Sequence, residues 1–114
     1  MNAKLYYQDF RLNATSFTKE DLILIPEKAV FIKEFSLEEA SKAMDIPECL
    51  MRKEDIPGAI WTIMNNIIIP PEHKDRKLFE EAGHTCMSVG DYIEFEDGEI
   101  WIAAMCGWKV ILPE

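Results

Sequence analysis

Apolar and polar residues alternate near both ends of the chain, which is the pattern of half-buried β-strands. This alternation predicts strands over residues 4–11, 29–35, 91–96, 99–105 and 108–112. Within the second of these strands, Phe31 and Phe35 are expected on the same side. A short apolar run at residues 22–25 stops at Pro26.

The middle of the chain has its apolar positions at helical spacing instead. Ser36 is followed three residues later by Glu39, which is a capping box and predicts a helix that ends before Pro47. We expect a second helix over residues 55–65. A third is expected over about residues 72–82, with a glycine directly after it as the C-terminal cap.

Strands grouped at the two ends of the chain, rather than alternating with helices, favour an α+β fold. The expected architecture has N-terminal strands, a helical middle and a C-terminal antiparallel β meander packed on the helices. The 114 residues fit a single domain over residues 1–114, with no repeat or flexible linker. At 48% hydrophobic residues, a chain of this length can bury a core without disulfides or metals.

Asp97-Gly98 is a turn signal that predicts how the C-terminal strands pair. Both central positions of a two-residue type I′ turn need positive φ, and Asp-Gly meets that need. In this register Glu96 faces Glu99. One face of the hairpin would then hold Ile93, Phe95, Ile100 and Ile102. The other would hold Tyr92, Glu94, Glu96, Glu99 and Trp101.

The second of these faces is the candidate binding site. Like charges directly opposite one another destabilise a strand pair, so carboxylates gathered around two aromatic rings favour a docking role. We therefore assign partner binding to Tyr92, Glu94, Glu96, Glu99 and Trp101. The alternative is a solvated face whose charges prevent sheets from pairing edge to edge.

The net charge of −9, from 21 acidic and 12 basic residues, narrows the choice of partner. A chain this acidic is repelled by DNA and by anionic membranes, so we expect no direct nucleic-acid or membrane binding. A basic protein surface is the expected partner. Acidity also serves solubility alone, which stays open as an explanation.

Cysteine usage and hydropathy indicate the cytoplasm. Cys49, Cys86 and Cys106 are odd in number and widely spaced, which argues against a disulfide framework and for a reducing compartment. The N-terminus has no basic-then-apolar signal pattern. The most apolar stretch, residues 59–69, is interrupted by polar residues and is too short to span a membrane.

Few residues are candidates for chemistry. His84 and Cys86 could hold a metal together with His73 and Cys106, but the paired spacing of structural zinc sites is missing. A Cys86–His84 nucleophile pair lacks an evident orienting group or oxyanion donors. We therefore expect no metal, no cofactor and no enzymatic activity. Trp61 and Cys49 are expected to be core residues.

One segment near the C-terminus is recognisable. His84-Thr85-Cys86-Met87-Ser88-Val89-Gly90-Asp91 is followed by Asp97-Gly98, Gly107-Trp108 and Ile111. This pattern resembles the C-terminal segment of small proteins of phages and conjugative elements, including the YodL-like domain. Met64-Asn65 is similar to the helix end that precedes the segment in such proteins. The resemblance covers residues 84–114 and implies a phage or mobile-element origin, without a catalytic assignment.

The same motif also has a structural interpretation. Gly90 is expected at a backbone angle that other residues avoid, and Ser88 and Asp91 are expected to bond nearby backbone amides and fix the turn. Cys86 departs from the resemblance, since a serine or another small residue is usual at that position.

Three functional hypotheses remain open. The first is a non-enzymatic acidic protein-interaction module of phage or mobile-element type. It would inhibit a host defence or nucleic-acid-handling enzyme by placing carboxylates where phosphates bind. The second is a small metal- or thiol-dependent enzyme, and the third is a phage structural or assembly module. The oligomeric state stays open.

Overall fold

The computed structural model describes residues 2–66, 74, 76–84 and 86–113. Its strands are β1 (Ala3–Tyr7), β2 (Val30–Phe35), β3 (Tyr92–Phe95), β4 (Ile100–Ala103) and β5 (Trp108–Ile111). They form one five-stranded antiparallel sheet in the order β2-β1-β3-β4-β5. The α+β fold is thereby confirmed, with strands at both ends of the chain and a C-terminal meander.

The helices are α1 (Leu37–Met44), α2 (Ile56–Asn65) and α3 (Arg76–Ala82). Single 3-10 turns lie at Phe10–Asn13, Lys19–Asp21, Pro26–Lys28, Glu48–Leu50 and Lys53–Asp55. The capping box is confirmed, because Ser36 Oγ accepts the Glu39 N–H at 3.2 Å and Glu39 accepts the Ser36 N–H at 3.2 Å. Residues 72, 73 and 75, which the sequence assigns to the third helix, lie outside the described residues.

The first strand is shorter than predicted. It ends at Tyr7, and a 3-10 turn begins at Phe10. Asp9 causes the change, because its carboxylate accepts the N–H of Arg11 at 3.0 Å and so caps that turn. The chain then leaves the sheet and crosses one of its faces before it returns as β2.

Both faces of the sheet are covered by other parts of the chain. The helix face carries Leu5, Ile93 and Phe95, which share one core with the buried residues of α1, α2 and α3. The loop face carries Tyr92 and Ile102, which pack on Leu22. We call residues 8–29, which include that leucine, the covering segment. Burial on both faces explains why apolar residues do not alternate strictly along the C-terminal strands.

A bulge in β2 reverses the predicted alternation there. Leu5 of β1 faces Lys33, whereas the next residue, Tyr6, faces Phe31. One residue of β2 therefore has no counterpart, and side chains beyond it change sides. Phe35 is buried in the helix-face core, while Phe31 lies 5.5 Å from the ring of Tyr6. The prediction that Phe31 and Phe35 share a side is wrong for this reason.

Two buried tyrosines make stability sensitive to alkaline pH. Burial raises the pKa of Tyr92 to about 12, with smaller contributions from Tyr6 and Glu94, and it also raises the pKa of Tyr7. A raised pKa means that the folded state holds the proton more tightly. We therefore expect the free energy of unfolding to be fully present below pH 10.0 and to fall as the pH rises towards 12.

Urea unfolding at several alkaline pH values, with tyrosinate absorbance followed in parallel, checks this expectation. A Tyr92→Phe variant is the control and should show a shallower loss of stability with pH. Three tyrosines that all ionise near pH 10.0 without any loss of structure would contradict it.

Candidate functional site

The C-terminal hairpin pairs one residue away from the predicted register. Glu94 faces Ile100. The Phe95 N–H donates to the Glu99 carbonyl at 2.9 Å, and the Gly98 N–H donates to the Phe95 carbonyl at 2.9 Å. Gly98 has a φ of +90°. These features define a three-residue turn with a bulge at the glycine, so the predicted two-residue turn is wrong.

The register divides the predicted binding face. Tyr92 is buried on the loop face with Ile100 and Ile102, whereas Trp101 packs on the helix face, with its ring centroid 6.1 Å from that of Phe95. The prediction that Ile100 and Ile102 share a face with Phe95 is therefore wrong. The prediction that Tyr92, Glu94, Glu96, Glu99 and Trp101 form one outward surface is wrong as well. Partner binding by any of these residues stays a prediction.

Part of the negative charge at the end of the hairpin is compensated within the chain. Lys53 Nζ lies 2.6 Å from Asp97 Oδ2 and 3.2 Å from Glu99 Oε2. The hydrogen bond to Lys53 holds the pKa of Asp97 below its ordinary value, and the same bond raises the pKa of Lys53. Trp101 Nε1–H donates to Glu99 Oε1 at 2.6 Å. Glu99 is therefore engaged from two sides and is poorly placed to bind a partner.

Other carboxylates do converge on the surface. Asn2, Lys4, Glu34, Glu94, Phe95 and Glu96 line a cleft of about 300 Å³ that spans β2, β1 and β3, which we call the acidic cleft. Lys4 faces Glu34 on one side and Glu94 on the other. The cleft holds three carboxylates and one ammonium group, a net charge of −2.

Asn2 orders two of these carboxylates. Its backbone N–H donates to Glu96 Oε1 at 3.0 Å, and its side-chain amide donates to Glu34 Oε1 at 3.2 Å. Each of these two glutamates has a second carboxylate oxygen, which can accept a hydrogen bond from a partner. The cleft thus joins Glu94 and Glu96, which sequence reasoning proposed, to Glu34, which it missed. Glu34 comes to them only through the β1–β2 pairing, which the sequence does not specify.

A second cluster of polar side chains is buried at the start of β3. Asp91 is fully buried, and its Oδ1 accepts the Gln8 N–H at 2.9 Å. Its Oδ2 accepts the Ser88 N–H at 2.7 Å and bonds His84 Nε2 at 2.8 Å. The prediction that Asp91 bonds a nearby backbone amide and fixes the turn is confirmed, whereas the Ser88 hydroxyl donates to Asp91 Oδ2 at 3.2 Å rather than bonding an amide. Asp91 also ties the end of β1 to that turn, which the sequence alone does not indicate.

His84 is held by Asp91 and by the ring of Tyr7. The ring stacks on Tyr7, with centroids 4.4 Å apart, and Nε2 points to the buried carboxylate. Nδ1 is buried too and makes no hydrogen bond to the described residues. Asp91 is the orienting group that the sequence did not reveal.

The proposed metal ligands are not brought together in the described part of the chain. Groups of three or more His, Cys, Asp or Glu side chains able to hold a metal are absent from residues 2–66, 74, 76–84 and 86–113. His73 lies outside these residues. Cys86 and Cys106 are exposed. Cys49 is also exposed, because its 3-10 turn lies on the surface, so the prediction that it is buried is wrong.

Two amides order the covering segment, and one of them, Gln8, also ties it to the turn before β3. Gln8 Nε2 donates to the carbonyls of Gly90 at 2.6 Å and Ile23 at 3.0 Å. Asn13 pairs with the backbone of Ile23, accepting its N–H at 2.7 Å and donating to its carbonyl at 3.1 Å. Asn13 Oδ1 also accepts from Ser16 Oγ at 2.9 Å. These side chains bond backbone groups of the apolar run at 22–25, which in a sheet would be bonded by a neighbouring strand.

Comparison of the chain with protein-family models, with curated proteins and with solved structures finds no match. The resemblance of residues 84–114 to YodL-like proteins therefore stays a prediction. Among the helices of the described residues, none is long and apolar enough to cross a membrane.

Proposed function

We propose that this chain is a non-catalytic protein-interaction module that binds a basic protein surface through the acidic cleft. The observation that carries the proposal is the convergence of Glu34, Glu94 and Glu96 in one cleft that holds a single lysine, Lys4. By contrast, Asp97 and Glu99 at the tip of the hairpin both form ion pairs with Lys53. The acidic cleft therefore offers three converging carboxylates to a partner.

The chemistry of the acidic cleft fits guanidinium and ammonium groups. Carboxylates accept paired N–H bonds from arginine, and such charge-assisted bonds are about twice as strong as neutral ones. The overall negative field would steer a basic partner towards the protein and raise its association rate. Lys4 lies between Glu34 and Glu94 and reduces the negative charge of the acidic cleft. We therefore expect a partner whose basic groups bind the glutamates on either side of Lys4.

The proposed setting follows from the resemblance of residues 84–114. A phage or mobile-element protein in the host cytoplasm would meet host defence and nucleic-acid-handling enzymes, whose basic surfaces bind phosphates. An acidic cleft can occupy such a surface, because carboxylates replace phosphates as anions. We propose inhibition of an enzyme of this kind as the function.

Charge reversal in the acidic cleft tests the binding surface. The triple variant Glu34→Lys, Glu94→Lys, Glu96→Lys should lose at least about tenfold in affinity for an octa-arginine peptide, measured by calorimetry at low salt. A control triple variant, Glu20→Lys, Glu48→Lys, Glu81→Lys, changes the net charge equally at exposed sites elsewhere.

The control should keep most of the wild-type affinity, since only the overall field changes. The same pair of variants then serves to sort the proteins captured from a host lysate. Equal affinities for the two triple variants, or identical captured proteins, would reject the acidic cleft as the binding surface.

A further inference from the structure

Among the described residues, the last strand, β5, is an open edge of the sheet. It pairs with β4 and stands at the end of the strand order. The Ala103 N–H donates to the Asp91 carbonyl at 2.9 Å, so this residue of β4 bonds β3. The direction of hydrogen bonding alternates from residue to residue along antiparallel strands, so Ala103 and Trp101 both bond β3 and not β5. Their facing residues in β5 are Trp108 and Val110. The N–H and C=O groups of these two residues therefore point away from β4.

This edge is less protected than the opposite one. Charged side chains, bulges and prolines normally blunt an edge, and of these β5 has one lysine, with Pro113 two residues after its end. The opposite edge, β2, has a bulge and carries Lys33 and Glu34. In β5 the one charged residue is Lys109, and Val110 and the following Leu112 are 41% and 68% exposed. Free peptide groups and apolar side chains together are suited to pairing with another strand.

An apolar groove lies next to this edge. Trp61 of α2 and Trp108 form its walls, with ring centroids 6.3 Å apart at 89°, and Met105 stands at its rim, 66% exposed. Ala103 and Gly107 are among the small residues that line it, and its volume is about 280 Å³. Trp61 is thus partly buried against the core, as the sequence indicated, and also lines the groove.

We propose that β5 pairs antiparallel with β5 of a second copy of this chain, about a twofold axis at Val110. In this register Val110 faces Val110 of the second copy, Trp108 faces Leu112, and Lys109 faces Ile111. The leucine then packs beside Trp108 at the groove. The two sheets join into one continuous sheet, and each copy contributes the same edge, as twofold symmetry requires.

The edge fits a second copy because its own residues complement one another: in this register Lys109 faces Ile111 and no like charges are opposed. Two chains of charge −9 repel one another, and β5 itself adds no carboxylate to that repulsion, although Glu20 and Asp21 lie in the 3-10 turn that contacts it. Residues 100–113 contain no Asp or Glu. A basic partner would instead be drawn to the acidic cleft. Centring the pair on Lys109 would set two ammonium groups directly opposite, which is unfavourable, whereas centring it on Val110 avoids this.

Sedimentation equilibrium from about 1 μM to about 1 mM tests the pairing. The paired strands are short, so we expect a weak dimer whose population rises with concentration. Val110→Lys places two lysines opposite each other and should raise the dissociation constant at least about tenfold. Phe31→Lys is the matched control, the same kind of change at an apolar residue that is 45% exposed on β2, at the other end of the strand order, and it should leave dimerisation unchanged.

A cross-link tests the register without relying on the lysine variant. Facing residues of a bonded antiparallel pair have Cα atoms about 5.5 Å apart, within the range of a disulfide. With Cys49, Cys86 and Cys106 replaced by serine, Val110→Cys should form a covalent dimer on oxidation, and Lys109→Cys should not. The acidic-cleft triple variant repels its own copy less and should dimerise at least as tightly as the wild type, which separates this proposal from the proposed function.

The proposal is overturned if the chain is monomeric throughout the concentration range. It is also overturned by a dimer that Val110→Lys leaves intact, or by equal cross-linking through positions 109 and 110. Circular dichroism melts of each variant confirm that a lost dimer is not simply an unfolded chain.

Discussion

Replacing Asp91 with alanine should lower the free energy of unfolding by about 3–5 kcal/mol. The carboxylate is fully buried and accepts hydrogen bonds from the backbone of Gln8 and Ser88 and from the ring of His84. Alanine would leave each of these donors without its partner. Each buried donor without an acceptor costs about 1–3 kcal/mol, because water cannot reach it.

Urea unfolding followed by circular dichroism measures this loss. Glu20→Ala is the control, because Glu20 is an exposed carboxylate and its removal should change stability by less than about 0.5 kcal/mol. Asp91→Asn should also destabilise, since its NH₂ group would face a donor in either orientation. A loss below about 1 kcal/mol for Asp91→Ala would show that the network is not needed for folding.

The second large effect is expected from Gly90→Ala, at about 3 kcal/mol. Gly90 has a φ of +96°, and a Cβ there would lie 2.4 Å from Asn13 Nδ2. Asn13 cannot move aside cheaply, because it is fixed by hydrogen bonds to Ile23 and Ser16. The added methyl group would therefore strain the backbone and also push the covering segment off the sheet.

Gly83→Ala separates these two costs. Gly83 has a similar φ of +89°, but a Cβ there would meet nothing within 4 Å. Its substitution should cost about 1–2 kcal/mol, from backbone strain alone. The difference between the two variants in thermal or urea unfolding then reports the contact with Asn13. Equal losses would mean that Asn13 relaxes freely and does not clamp the covering segment.

Elements with local determinants could be predicted from the sequence. The helix that begins after Ser36 was predictable because its capping box involves two residues three positions apart. The turn at Ser88 was predictable for the same reason, since Asp91 bonds a backbone amide three residues away. The strands could be located by their composition, although their ends differ from the prediction by several residues in β1.

The register of the final hairpin could not be predicted, because Asp97-Gly98 suits turns of two and of three residues. In the longer turn only the glycine needs positive φ, and Asp97 accepts the Glu99 N–H at 2.9 Å. Packing on both sides of the sheet fits this choice, because it buries Ile102 on one face and Ile93 on the other. The sequence of the hairpin alone does not show that the covering segment packs on the second face of the sheet.

The candidate site was predictable only in part, for a related reason. Glu94 and Glu96 could be found as acids on a strand and its turn, but their partner Glu34 lies two strands away in the sheet. The same holds for the buried amides. Gln8 and Asn13 stand in polar stretches without periodicity, and their role depends on carbonyls of Ile23 and Gly90.

The three-residue turn at 96–98 has a consequence for how this protein can change in evolution. A deletion of Glu96 would leave Asp97-Gly98 between Phe95 and Glu99 as a two-residue turn, which these residues also favour, so β3 and β4 would keep their pairing. The same deletion would remove one carboxylate of the acidic cleft. Descendants of this gene are therefore expected to vary in turn length only where binding no longer depends on Glu96.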